Sequence, residues 1–191
     1  MRIYLAGPDI FLADAAAIGQ AKKDICARHG AEGIFPLDPH PDQHPDPGAD
    51  PQPQDWLAMY LHNEAHIRAA DALIANLTPF RGPSADAGTV YEIGLMRGLG
   101  RPVLGYANTT AGFTARTLAH LQGSARRRAT GAWEDAEGLE VEEHGLHDNL
   151  MIDGGIAASG GTLQTHDTPP SRRWHDLTAF EACVRHLMRR G

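Results

Sequence analysis

Cysteine is scarce in this chain: two residues in 191, Cys26 and Cys183, far apart in segments with helical patterning. Neither has metal-type spacing and no disulfide framework can be built, so a reducing cytoplasm is the expected compartment. Positive charge is in deficit. Seventeen Lys and Arg against 24 Asp and Glu leave a formal net charge of −7, which argues against a nucleic-acid duplex or an anionic membrane as partner. No apolar run approaches the roughly 18 residues that a membrane span needs. The opening stretch to Pro8 lacks the apolar core and cleavage site of a secretory signal. Gly7-Pro-Asp-Ile-Phe11 lacks the Gly-x-Gly-x-x-Gly fingerprint, which argues against a dinucleotide dehydrogenase; no cofactor is expected. There is no internal repeat.

What is present fits one globular domain spanning 1–191. The hydrophobic share of 42% and charged share of 21% are ordinary. Arg2 to Ala6 reads as a strand ended by Gly7-Pro8. Asp14 is placed to cap a helix to about Arg28, with Ala17, Ile18, Ala21, Ile25 and Cys26 inward and Gly30 as terminator. Gly33 to Phe35 is a second strand. The proline-, aspartate- and histidine-rich stretch 36–54 has no periodicity. A helix from Asp55 is expected to turn Trp56, Leu57, Tyr60, Ile67 and Ala70 towards a sheet. Ala72 to Leu77 is a third strand, a helix runs to Leu99, and Val103 to Tyr106 is a fourth strand. Beyond it come a short basic helix around 114–122, a solvated basic patch at 125–128 and an acidic strand–turn element at 133–143. Leu150 to Ile152 is expected as the fifth strand, 157–173 as a surface loop and 174–189 as a closing helix. Alternating strands and helices imply an α/β fold: a doubly wound, flavodoxin-like, five-stranded parallel sheet with helices on both faces.

The most informative stretch is Pro79-Phe-Arg-Gly-Pro-Ser-Ala-Asp-Ala-Gly-Thr-Val-Tyr-Glu-Ile-Gly94. It joins a strand to a helix through a glycine-rich loop, where open α/β sheets hold ligands. With a helix start at Thr89, Glu92 would lie in the first turn, where the helix field favours the ionised form that a nucleophile needs. Thr89-x-x-Glu92 equally reads as a capping box. Tyr4, Asp71, Asp86 and Glu92 together suit a cationic, oxocarbenium-like transition state. Each also has a plainer reading: Tyr4 as a core residue, Asp71 as a junction residue, Asp86 as a turn or cap.

The chain resembles the nucleoside 2-deoxyribosyltransferases. The resemblance rests on Ile3-Tyr-Leu-Ala-Gly-Pro8 with Phe11, Ala70-Asp-Ala-Leu-Ile-Ala75, Pro79-Phe-Arg-Gly82 and Asp86-x-Gly-Thr-x-x-Glu-Ile-Gly94. It continues through His144-Gly-Leu-His-Asp-Asn-Leu-Met-Ile152 and the tail around Phe180. The resemblance implies 2'-deoxynucleosides and free nucleobases as substrates. It implies Glu92 as nucleophile, Tyr4 as its orienting partner and Asp71 as the group that holds the base and passes it a proton. It also implies Asp86 on the sugar hydroxyls, and Asn149 reaching the sugar from a neighbouring subunit of a homo-oligomer. Asn149 can also be read as a loop residue bonding its own backbone. Gly7 and Gly88 would let substrate approach the backbone, and His40 would contact it from a segment that matches the family only in part. His40, His44, Asp42 and Asp46 do not make a metal site, because a proline-rich loop lacks a rigid ligand face. Two other functions compete: an N-glycosidase acting on 2'-deoxynucleoside 5'-monophosphates, and a nucleoside-binding module without catalysis. Asp86 and Asn149 stand against the first, since a carboxylate repels phosphate.

Overall fold

The structure is a computed structural model, described for residues 1–39 and 55–189. Five parallel strands lie in the order β2-β1-β3-β4-β7. They are β1 (Arg2–Ala6), β2 (Glu32–Ile34), β3 (Ala72–Asn76), β4 (Val103–Ala107) and β7 (Leu163–Thr165). Between Arg2 at the start of β1 and Asn76 at the end of β3, the central strands are built of apolar residues, as a sheet buried on both faces requires.

Side chains alternate between two cores. Ile3 and Leu5 of β1 pack with α1 (Ala15–Arg28) and α6 (Thr178–Met188), where Ile25, Cys26, Phe180, Cys183 and Val184 are buried. Tyr4 and Ala6 point the other way, into a core shared with α2 (Trp56–Ala69), α3 (Ala87–Gly98) and α5 (Leu150–Ala158) through Ile67, Ile93, Met96, Ile152 and Ile156. The chain leaves β1 for one neighbour and returns to β3 on the other side, so the topological switch point lies between β1 and β3. Four smaller elements complete the described chain: a 3-10 turn over Pro8–Phe11, α4 (Phe113–His120), a 3-10 turn over Pro170–Arg172, and a ribbon of β5 (Arg126–Arg127) against β6 (Trp133–Glu134).

The structure corrects the sequence reading in several places. Leu150 to Ile152 is the first turn of α5: Asn149 Oδ1 accepts the amide of Met151 at 3.0 Å, and Ile152 and Ile156, four apart, face the sheet. The fifth strand is β7, inside the stretch read as a surface loop. Among the described residues it pairs only with β4 and stays partly exposed, so it carries no apolar alternation. The basic patch at 125–128 is solvated as expected, but it is also ordered: Arg126 and Arg127 form β5, with Arg127 stacked 4.3 Å from the Trp133 ring centroid and Arg126 and Arg128 paired with Glu134. In α1 Ala17 is exposed, and Lys22 points inward in its place. Asp14 is at the N-cap position of α1 but makes no cap bond through its side chain, which meets His175 at 3.0 Å.

Lys22 is buried because it has partners. Its Nζ lies 2.7 Å from Asp9 Oδ2, both side chains are 1% exposed, and the Tyr106 and Phe180 rings flank it at 5.5 and 5.6 Å. Asn76 Nδ2 donates to the other Asp9 oxygen at 3.1 Å, tying the end of β3 to the turn after β1.

Candidate active site

At the carboxyl end of β1 the backbone turns at Gly7 with φ +152°. A Cβ there would lie 2.5 Å from Asp9 Oδ2 and 2.7 Å from Asn76 Cβ, so only glycine fits. Within β1, Tyr4 is fully buried on the α2/α3 side, and its hydroxyl donates to Glu92 Oε1 at 2.7 Å. Burial, followed by the charge and hydrogen bond of Glu92, pushes the phenol far above its usual range. Tyr4 is therefore a fixed donor and does not act as a base.

Glu92 departs from the expectation drawn from the sequence. The N-cap of α3 is Asp86, whose Oδ2 accepts the Thr89 amide at 2.9 Å and the Thr89 hydroxyl at 3.1 Å. Glu92 is thus the sixth helical residue, past the first turn where the helix field acts. The Thr89–Glu92 capping box does not form, and the carboxyl turns to Tyr4 instead. Burial raises Glu92 to about 7; the Tyr4 hydrogen bond pulls it down, and the Asp86 charge pushes it up again. A raised carboxyl burdens the fold at high pH: the penalty is absent below the unfolded value near 4.5, grows as pH rises, and is complete above about 7.

Glu92 opens into a cleft of about 360 Å³ lined from α2 by Trp56, Met59, Tyr60, Asn63, Glu64 and Ile67, and from α3 by Gly88 and Tyr91. That volume lies within the range of small-molecule sites, about 300–1,000 Å³. A Cβ on Gly88 would come within 3.1 Å of Asp86 Oδ2. Tyr60 and Tyr91 meet hydroxyl to hydroxyl at 2.9 Å. The face of α2 is a correction: Trp56, Leu57 and Tyr60 are 72%, 47% and 39% exposed. Ile67 and Ala70 reach the sheet core, while the earlier turns wall the cleft. Asn63, absent from the sequence reading, supplies the neutral amide of this wall. Its signal was the helical spacing of Trp56, Met59, Tyr60, Asn63 and Ile67.

Asp71 is not part of this cleft. It precedes β3, so in a parallel sheet it lies at the amino edge, where Oδ2 accepts the Arg2 amide at 2.7 Å. It pins the starts of β1 and β3, and the role in holding and protonating the base falls away. Asn149 also lies outside the Glu92 cleft of its own chain. It caps α5, and its Nδ2 donates to Glu142. His40, and with it the histidine–aspartate loop, lies outside the described residues. Among the described residues no cluster of His, Cys, Asp or Glu is arranged to hold a metal, and no helix is long and apolar enough to cross a membrane.

One further positioning residue went unread in the sequence. Asp148 is fully buried and accepts the Ser84 hydroxyl, the Ala85 amide at 3.1 Å and the Arg116 guanidinium at 3.2 Å. It thereby fixes the loop that delivers Asp86.

Residues 3–151 match the family described as nucleoside 2-deoxyribosyltransferase. The fold resembles a 2-deoxyribosyltransferase from Leishmania mexicana, with a TM-score of 0.62, 25% identity and 97% of each chain covered. A conserved protein from Enterococcus faecalis shares the fold at a TM-score of 0.56 and 19% identity over 98% of each chain. An uncharacterized protein of Schizosaccharomyces pombe is 29% identical over 169 residues, 83% of this chain and 78% of its own length.

Proposed function

This chain belongs to the nucleoside 2-deoxyribosyltransferase family, and from that premise we propose that it moves a 2-deoxyribosyl group between nucleobases through a covalent ester on Glu92. The ionised Glu92 attacks the anomeric carbon as the bond to the base breaks. A second base then displaces the carboxylate, with net retention. With no acceptor base present, water hydrolyses the ester slowly.

The observation that carries the reading is the 2.7 Å hydrogen bond between Tyr4 and Glu92 inside the cleft. The phenol holds one carboxylate oxygen, which orients the other towards substrate. The positive charge that develops on the sugar meets a carboxylate held at about 7 with no cation in the cleft lining among the described residues. Tyr4 and Glu92 together crowd the 2' position, favouring deoxy sugars. Asp86 caps its helix with Oδ2 alone, leaving Oδ1 for a sugar hydroxyl. Gly7 and Gly88 keep the backbone approachable, and the Asn63 amide is placed to hydrogen-bond a base edge. Asn149 completes the cleft of a second copy; Leu150 and Met151 beside it, 42% and 73% exposed, offer an apolar contact for that copy.

The test is to incubate the protein with 2'-deoxyinosine, with and without adenine, and resolve the products by chromatography. Formation of 2'-deoxyadenosine, with the sugar trapped on the Glu92 peptide in a quenched sample, supports the proposal. Binding without turnover would mark a nucleoside-binding module, and turnover confined to 5'-monophosphates would mark the N-glycosidase.

A further inference from the structure

The loop that delivers Asp86 has a second cleft on it, of about 450 Å³, between Pro79–Pro83, the segment after β4, α4 and Arg173. In a chain of net charge −7, its lining among the described residues holds three arginines (Arg81, Arg116 and Arg173) with His120, and no carboxylate. Arg116 is committed to the structure: it donates to the carbonyls of Pro83 at 2.7 Å and Ala111 at 2.6 Å and pairs with Asp148.

The other two are not. Among the described residues neither Arg81 nor Arg173 forms an ion pair with a carboxylate. The Arg173 Nε is buried with no hydrogen-bond partner among the described residues, and a buried donor left unmade carries its full desolvation penalty. Arg81 sits at φ +53°, a left-handed conformation that is uncommon outside glycine and recurs at ligand clamps. Its guanidinium lies 4.5 Å from the Phe80 ring centroid and 5.4 Å from that of Phe11. Stacking fixes the plane of the guanidinium and leaves its edge donors free.

We propose that this cleft binds a phosphate-type oxyanion, held between the guanidinium edges of Arg81 and Arg173. Two forks approaching from separate elements suit a tetrahedral dianion, whereas a planar carboxylate is satisfied by one. The phosphate has two possible sources, a separate phosphate-bearing ligand or the 5'-phosphate of a nucleotide whose sugar enters the Glu92 cleft.

Calorimetric titration of the full chain at constant ionic strength tests this, with inorganic phosphate, 2'-deoxyadenosine and its 5'-monophosphate as probes. Phosphate should bind once per chain, at least tenfold more weakly to Arg81→Gly/Arg173→Gln. Arg81→Gly alone should melt no lower than the parent, because glycine relaxes the left-handed backbone, and this separates lost binding from lost folding. If the monophosphate binds at least tenfold tighter than the nucleoside and the double substitution erases that gain, the phosphate is the substrate's own. If phosphate binds equally with and without saturating 2'-deoxyadenosine, it is a separate ligand; either result supports the site. Heat no greater than a chloride control, or phosphate affinity unchanged in the double variant, overturns it. The same titrations on Glu92→Ala keep the outcome distinct from the fate of the transferase reading.

Discussion

On the α1/α6 face of the sheet, Lys22 and Asp9 are each 1% exposed and face each other at 2.7 Å. On the α2/α3 face, Glu92 is partly buried with a phenol as its partner and, among the described residues, no cation lining its cleft. The first face matches its buried charges and closes over them. Among the described residues the second gives its carboxylate no counter-charge, and burial holds Glu92 up at about 7. Under the proposed function, a positively charged sugar in the transition state would supply that counter-charge. Stability and reactivity are thus divided between the two sides of the same strands.

The largest effect should come from removing the mismatch. Glu92→Gln is expected to lower transfer by at least about 10³-fold, since it removes the proposed nucleophile. The same variant should be more stable than the parent at pH 8 by roughly 1–3 kcal/mol, and no more stable at pH 4, because the penalty exists only above the unfolded value. Denaturant melts at the two pH values check this; a loss of stability at pH 8 would return Glu92 to a structural role.

Breaking the matched face comes next. Lys22→Met should cost about 3–5 kcal/mol by stranding Asp9 without its partner. Adding Asp9→Asn should restore a large part of that loss, a coupling that a double-mutant cycle in urea measures.

A smaller change sharpens the comparison within the open face. Tyr4→Phe keeps the ring and removes the hydrogen bond, so transfer should fall by about 10–100-fold. The proposed mechanism requires ionised Glu92, so the acid limb of activity should lie near pH 7 in the parent and move upward in Tyr4→Phe, because the lost hydrogen bond was the influence lowering Glu92. The smallest effect belongs to Asp71→Asn. Its carboxylate serves the Arg2 amide at the amino edge, and an amide oxygen still accepts there. Transfer should stay within about twofold and stability within about 1 kcal/mol.

The sequence made the central sheet legible because β1, β3 and β4 are apolar on both faces and each is closed by Gly, Pro or a helix signal. It hid β7, an edge strand whose Leu163, Gln164 and Thr165 face a single partner. It misread Leu150 to Ile152 because three apolar residues in a row have no period; what decides is the Asn149 cap before them. The Tyr4–Glu92 pair spans 88 positions, and residue types alone could propose it only through family resemblance. Asp71 was misplaced by one end of a strand: in a parallel sheet, a residue before a strand and one after it lie on opposite edges. Lys22 was invisible because charged residues are almost never fully buried unless paired, and its partner is fixed only by the fold. The arginine-lined cleft draws on the loop after β3, on the segment after β4, on α4 and on Arg173, four segments with no periodicity in common.

Cys26 and Cys183 lie in the core of the α1/α6 face, and burial pushes the two thiols up to about 11 and about 12. Neither is a useful nucleophile towards an alkylating reagent while the helices are docked. They form a built-in clock for that side of the molecule. If α6 peels away alone, Cys183 takes the label first; if the sheet opens as one unit, the two are labelled together. The order of modification distinguishes a fraying tail from cooperative collapse without any probe being introduced.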